Sequence, residues 1–351
     1  MQPTFASAWK SPSNIAFIKY WGKKTGQLPA NPSLSMSLTE AFTDTQVFSF
    51  TKGPGFPAIT LNGNPAHLFL GKISGLLSAM LADYPVLANF SYQIETQNSF
   101  PHSTGIASSA SGLSAFALCM LDIAWMAAGR ESGTDDFFQR ASFYARLGSG
   151  SACRSLYPGY TAWGKSAALP GSSDDYAIPV NDKIHRDFLD LHDTILIVSS
   201  EPKAVSSTAG HAKMTAHPFA DARILQAENN MSDILISLEK GDFDAFGKVA
   251  ESEALTLHSL IMTAETGTIL LEAGSLQIIK AIREGRKQGF PVFFTIDAGP
   301  NIHLVYPGNQ ANKVKTFIQQ ELLPYCENQK VIYDTCGQGP SRIPAEHGFL
   351  G

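Results

Sequence analysis

Apolar and polar residues follow one another along this chain at spacings that set out a mixed α and β fold. Thr43–Thr51 and Phe90–Gln97 are rich in β-branched and aromatic residues and partly alternate, which predicts strands. Between them, Ala66–Tyr84 carries Leu, Ile and Met at helical spacing. Asn98–Gly112 is a Ser/Gly-rich loop that leads into an almost unbroken apolar run, Gly112–Ala128. The run is near the lower length limit of a membrane span. It also contains Asp122 and many small residues, so it reads as a buried core helix. Asp135–Leu147 predicts a further helix, ended by Gly148. Pro170–Asp182, rich in Ser, Asp, Gly and Pro, predicts a surface excursion near a domain boundary.

The second half opens on Thr194–Ser200, whose Ile-Leu-Ile-Val run predicts a buried strand. Two or three helices are expected across Asp221–Glu265. Another is expected over Ser275–Gln288, where Lys and Arg near the end suit the helix dipole. Pro291–Ile296 and His303–Tyr306 predict two strands joined around Asp297–Asn301, followed by a helix (Asn312–Leu323) and a last strand (Lys330–Asp334). That order is the ferredoxin-like α+β arrangement.

Composition narrows the function classes. With 351 residues, 44% hydrophobic and 16% charged, the chain is long and apolar enough for one large or two ordinary domains. A formal charge of −5 offers no nucleic-acid or anionic-membrane surface, so any anion must be held by a local cluster of donors. The four cysteines show no C-x-x-C spacing, and the N-terminus carries no secretory pattern, so a reduced cytoplasmic protein is expected.

Four segments carry candidate chemistry, and none is a Walker loop or a dinucleotide fingerprint. Ser103–Gly112 precedes the apolar helix; small residues and free N–H groups there suit a phosphate, with Ser108, Ser109 and Ser111 as hydroxyl donors. The same pattern also describes a serine-capped helix. Gly148–Ser155 offers amides, hydroxyls and Arg154, whose guanidinium can grip a carboxylate or phosphate; a helix C-cap and turn is the plainer alternative. Asn14–Lys24 groups three lysines with three aromatics, either for an anion or as snorkelling lysines on a strand. Thr295–Asn301 places Asp297 after an apolar strand, either to orient a hydroxyl or simply to form a turn.

Taken together, these segments resemble the mevalonate diphosphate decarboxylase family of the GHMP kinase superfamily. Asn14-Ile-Ala-x-x-Lys-Tyr-Trp-Gly-Lys23 is similar to its N-terminal motif, and Asn31-Pro-Ser-Leu-Ser-Met-Ser-Leu38 to the strand that follows. Gly105–Gly112 resembles its phosphate loop, and Gly148–Ser155 and Asp297–Asn301 its two catalytic motifs. Val205–Thr208 and Gly337–Pro340 resemble two further segments. The chain departs from the pattern at His102-Ser103-Thr104 and at Thr208. The resemblance runs from about residue 8 to 342.

The resemblance implies an α+β GHMP kinase fold. A ribosomal-protein-S5-domain-2-like N-terminal domain (1–190) would bind ATP, and a ferredoxin-like domain (191–351) would follow. It also implies ATP, Mg²⁺, a homodimer and mevalonate diphosphate as the substrate. By that resemblance Asp297 would orient and deprotonate the C3 hydroxyl, and Arg154 would clamp the carboxylate. Asn14 would hold either of these, and Ser207 would touch the hydroxyl or carboxylate. Lys19, Tyr20, Lys23, Ser149, Gly150 and Ser151 would take the diphosphate tail. Gly105, Ala107, Ser108, Ser109 and Ser111 would cradle the ATP phosphates, with no side-chain ligand evident for the metal. The alternatives are the same chemistry on mevalonate monophosphate, a kinase that stops at C3 phosphorylation, or a catalytically silent relative that serves as a binding or scaffold protein.

Overall fold

The structure, a computed structural model, describes residues 2–51, 58–66, 70–100, 108–201, 207–214 and 216–346; Ser108 and residues 207–209 are described by backbone alone. The first half comprises β1 (Phe5–Ile18), β2 (Ser33–Thr51), β3 (Ala58–Leu61), β4 (Asn64–Pro65), α1 (Leu70–Asp83), β5 (Phe90–Asn98), α2 (Ser108–Ala127), α3 (Asp135–Gly148), β6 (Tyr160–Trp163) and β7 (Ile178–Pro179). Then come α4 (Arg186–Leu189), β8 (Leu191–Leu196), α5 (Ser207–Ala212), α6 (Ala220–Lys240), α7 (Phe243–Thr263), α8 (Ala273–Lys287), β9 (Phe293–Thr295), β10 (Ile302–Pro307), α9 (Ala311–Phe317), β11 (Val331–Thr335) and β12 (Ser341–Arg342).

Eight strands form the first sheet, in the order β12-β1-β2-β5-β3-β4, with β6 on β2 and β7 on β6. The long strands β1 and β2 exceed what alternation alone predicts, since most of their residues are buried on both faces. The apolar helix α2 lies inside the core, with Leu113, Phe116 and Ile123 packed among Trp9, Val47 and Ile94. Each such buried side chain contributes about 1.5–3 kcal/mol. Asp122, the one charged residue of that helix, accepts from Ser7 Oγ at 2.6 Å, Trp9 Nε1 at 3.3 Å and Arg342 Nη2 at 2.5 Å. That last contact belongs to β12, so the end of the second half completes the first sheet.

The second sheet has the order β11-β8-β10-β9, antiparallel throughout, which is the ferredoxin-like order expected from the pattern. Alternation sorts its faces. Leu196, Phe294 and Leu304 turn to α8 and α9, where they meet Ile278, Ile282 and Phe317. Ile195, Ile197, Phe293 and Val305 turn the other way, into a core shared with Phe246 of α7 and with Ile15, Phe17 and Leu34 of the first sheet. One apolar cluster therefore joins the two halves.

One expectation needs correction. The strand read at Thr194–Ser200 is β8, Leu191–Leu196, because the N–H groups of Val198 and Ser199 go to Asn301 Oδ1 at 2.8 and 3.0 Å rather than to a strand. The segment Pro170–Asp182 lies at the surface as expected, with Ala177 its one buried residue. It carries β7, and its carbonyls are held by Arg146 Nε (on Asp175, 2.7 Å) and Trp163 Nε1 (on Asp174, 2.8 Å).

Candidate active site

The first side chain of the site is placed by a proline. The pairing of β1 with β2 shifts register between Pro12 and Asn14, and again between Ala16 and Ile18. Pro12 has no N–H for the ladder, and a bulge re-aims the residues beyond it. Asn14 thus reaches the turn Gly150–Leu156 that follows α3. Its Nδ2 donates to Ser155 Oγ at 2.8 Å and to the Ser151 carbonyl at 3.2 Å, while its Oδ1 accepts from Arg154 Nε at 3.4 Å.

Arg154 lies in that turn and is only 3% exposed. Nε donates to Ser35 Oγ at 3.1 Å and Nη1 to Ser33 Oγ at 2.8 Å, both from β2. None of these bonds uses Nη2. Burial lowers the guanidinium's pKa, against the pull of Cys153 and Asp297, though arginine stays charged throughout.

Lys19 and Asp297 meet from opposite halves. Lys19 directly follows β1, and Asp297 lies just beyond β9. The ammonium Nζ is 2.7 Å from Asp297 Oδ1; the lysine is 2% exposed and the aspartate 27%. Burial pulls the lysine's pKa down, Asp297 and Glu253 pull it back up, and Arg154 adds to the fall. The backbone of Asp297 is fixed as well, its carbonyl 3.0 Å from His258 Nε2 and accepting from Gly299 N at 2.7 Å. Lys19 therefore pairs with Asp297, a contact that its expected place at the diphosphate tail does not include.

Next to this pair stands an aromatic wall. Tyr20 packs on Trp163 (centroids 4.7 Å) and on His211 (4.3 Å), and His211 on Trp21 (4.6 Å). The Tyr20 hydroxyl is buried and finds no hydrogen-bond partner among the described residues. Gly150 makes room for it: a Cβ there would stand 2.7 Å from the hydroxyl and 2.8 Å from Trp163. Burial, with Lys23 and Arg154 nearby, pushes His211 down to about 3, so the ring is neutral. Its Nδ1 accepts from Gly22 N at 3.0 Å, which leaves the ring proton on Nε2. Lys23 is half-buried, and burial and neighbouring Lys72 lower its pKa. A chain of net charge −5 thus gathers Lys19, Lys23, Lys72 and Arg154 around one region.

The phosphate loop is described only at its end. Gly105 and Ala107 lie outside the described residues, as do His102-Ser103-Thr104 and Val205-Ser206. Ser108 begins α2 and Ser207 begins α5; their side chains and that of Thr208 are not described. Ser109 Oγ is 3.4 Å from Ser149 Oγ, so the start of α2 adjoins the turn that carries Ser151 and Arg154. Ser111 is a correction. It is fully buried with Oγ 2.7 Å from Thr43 Oγ1, and so ties the helix to the sheet rather than facing a nucleotide. Gly337 is structural too, since a Cβ there would meet the Leu38 carbonyl at 2.3 Å. No cluster of three or more His, Cys, Asp or Glu side chains among the described residues is arranged for a metal.

Sequence reasoning missed Ser33, Ser35, His211, Arg223 and Glu253. The serines had a visible signal: Ser33, Ser35 and Ser37 alternate along β2 and so share one face. The others carry no local signal, because their partners lie far away in sequence.

An S5-type sheet joined to a ferredoxin-like sheet, with Lys19, Asp297 and Arg154 where they meet, defines a GHMP-kinase-fold enzyme. Residues 11–177 match the diphosphomevalonate decarboxylase-like N-terminal domain and residues 194–345 the mevalonate 5-diphosphate decarboxylase C-terminal domain. The chain belongs to the mevalonate diphosphate decarboxylase family. Among relatives, the diphosphomevalonate decarboxylase of Ganoderma lucidum is 30% identical, over 97% of this chain and 87% of its own. The crystal structure of mevalonate diphosphate decarboxylase from Staphylococcus aureus superposes with a TM-score of 0.84 at 26% identity, over 97% of this chain and 98% of its own. A complex of MDDEF with MVAPP, AMPPCP and magnesium gives 0.81 at 27% identity, over 96% and 98%.

Proposed function

We propose that the protein catalyses ATP-dependent decarboxylation of mevalonate 5-diphosphate to isopentenyl diphosphate, releasing ADP, phosphate and CO₂. The observation that carries this reading is the Lys19–Asp297 contact within the electrostatic reach of Arg154. A kinase needs the first pair; a guanidinium with Nη2 outside its structural bonds adds a clamp for a carboxylate.

The substrate's C3 hydroxyl is a poor leaving group. Asp297 orients it and accepts its proton as the γ-phosphoryl arrives, forming a phosphate ester and ADP. Lys19 holds Asp297 in place, and its charge offsets that of the transferring group. The C3–O bond then breaks with both electrons leaving on phosphate. Electrons of the bond to the carboxylate close the alkene, and CO₂ departs. Arg154 holds that carboxylate in line. Lys23, Tyr20 and the Ser149–Ser151 turn take the diphosphate tail; the Tyr20 hydroxyl, unpartnered among the described residues, suits an anionic oxygen.

ATP fits beside the start of α2, a 20-residue helix whose N-terminus favours a phosphate. Magnesium would come with the nucleotide and offset phosphate charge, held by phosphate and hydroxyl oxygens rather than by an acidic cage. A cytoplasmic homodimer completes the proposal, supported by the family resemblance; light scattering tests the dimer.

The test is incubation with Mg·ATP and either mevalonate diphosphate or mevalonate monophosphate, measuring ADP and CO₂. Equal amounts of both products from the diphosphate alone support the reading. CO₂ chiefly from the monophosphate changes the substrate, and ADP without CO₂ makes the protein a kinase.

A further inference from the structure

Glu253, on α7, and Arg223, on α6, form an ion pair that is 0% and 2% exposed. Its role is not evident from stability. Removing two charges from water is costly, and apolar side chains of the same size often serve as well. What an ion pair does supply is direction, and both of its partners bond to the backbone of Lys19. Arg223 Nη1 and Nη2 bind Glu253 Oε1 and Oε2 at 2.7 and 2.6 Å. Asn230 Nδ2 adds a third donor, 2.6 Å from Oε1. The fourth donor on the carboxylate is the backbone N–H of Lys19, 2.8 Å from Oε2. Arg223 Nη2 then donates to the Lys19 carbonyl at 2.9 Å, as does Asn31 Nδ2 at the same distance.

We propose that the Arg223–Glu253 pair positions Lys19, gripping its N–H and its carbonyl at once so that its ammonium stays on Asp297. β1 has ended at Ile18, so no strand ladder fixes this residue. Two helices of the second half do so instead, together with Asn31, acting on a residue of the first. The pair also sets charge. Asp297 and Glu253 favour the ammonium and Arg154 opposes it, while Arg223 touches its carbonyl and His258 the carbonyl of Asp297. Loss of the Glu253 anion leaves Lys19 easier to deprotonate.

The proposal rests on the decarboxylase reading for its kinetic consequence, not for its structural one. Two variants test it, Glu253→Gln and the double Arg223→Gln/Glu253→Gln. The double variant leaves no buried charge unpaired and carries the test should the single one not fold. In folded protein, verified by circular dichroism, kcat is expected to fall about tenfold or more, since small misplacements are costly, while KM for ATP holds. Lysine labelled with ¹³C, with the Lys19 signal assigned by its loss in Lys19→Arg, is titrated alongside; in Glu253→Gln it should titrate at lower pH than in wild type. Wild-type kcat in either folded variant overturns the proposal. So does a fall in kcat matched by an equal loss of ATP affinity with an unmoved Lys19 titration, which would mark a merely structural pair. Absence of CO₂ from wild type overturns the functional reading instead, and the titration still decides the positioning.

Discussion

Lys19 Nζ lies 2.7 Å from Asp297 Oδ1, so two residues 278 apart in sequence make the central contact of the site. Neither works alone: the lysine is buried and needs a counter-charge, and the aspartate is a partly exposed carboxylate that needs fixing.

Asp297→Asn keeps the shape and removes the proton acceptor. Turnover is expected to fall by about 10²–10⁴-fold, the usual scale of general-base loss. Isothermal titration should still show ATP and substrate binding. Near-normal ADP release would remove Asp297 from its role.

The serines behind Arg154 form a second test. Ser33→Ala and Ser35→Ala each remove an acceptor from a buried guanidinium, and a bond to a charged group contributes about 1.5–3 kcal/mol. Urea unfolding should register that loss. The substrate's KM should rise too, because Arg154 then has freedom to turn from the carboxylate. Unchanged values on both counts would show that Asn14 alone suffices.

Gly150→Ala introduces a methyl into the contact with Tyr20 and Trp163. Overpacking of this kind costs about 1–3 kcal/mol. We expect a lower melting temperature and weaker substrate binding together, since the turn that yields also carries Ser151 and Arg154. A variant with full stability and full affinity would mean that Tyr20 moves aside freely.

Asp334 supplies a pH test away from the site. Its Oδ1 accepts from the N–H of Thr39 and Glu40 and its Oδ2 from that of Ala41, tying β11 to β2. Burial raises its pKa from 3.8 to about 6 despite these bonds. A carboxyl raised on folding binds more protons folded than unfolded between those values, so its unfavourable contribution at neutral pH is relieved as pH falls. Relative to Asp334→Asn, wild type should gain up to about 3 kcal/mol between pH 7 and pH 4. Urea midpoints at several pH values measure it; a constant difference would refute the shift.

Much of this architecture is legible in sequence because its signals are local. The 3.6-residue spacing of α8 and the short apolar strands around Asp297 need no knowledge of what they pack against. The Asp-Ala-Gly-Pro-Asn and Ser-Ala-Cys-Arg segments are likewise readable as chemistry. Ser111 misled because a serine near a helix start looks the same whether it faces a ligand or a sheet. Glu253 and Arg223 were invisible for the opposite reason: on their helices they look like ordinary surface charges, and only tertiary packing turns them inward. The Lys19–Asp297 contact is hidden for the same reason, since it is set by how the two sheets join.

That joining has a consequence for synthesis on the ribosome. Ile15 and Phe17 leave the exit tunnel early, yet the cluster that buries them includes Phe246 and Phe293. An N-terminal half released before those residues emerge keeps an apolar face uncovered, and exposed faces of this kind invite aggregation. Chains truncated before residue 246 should therefore engage chaperones, and a pause late in translation would be more hazardous than one at the start.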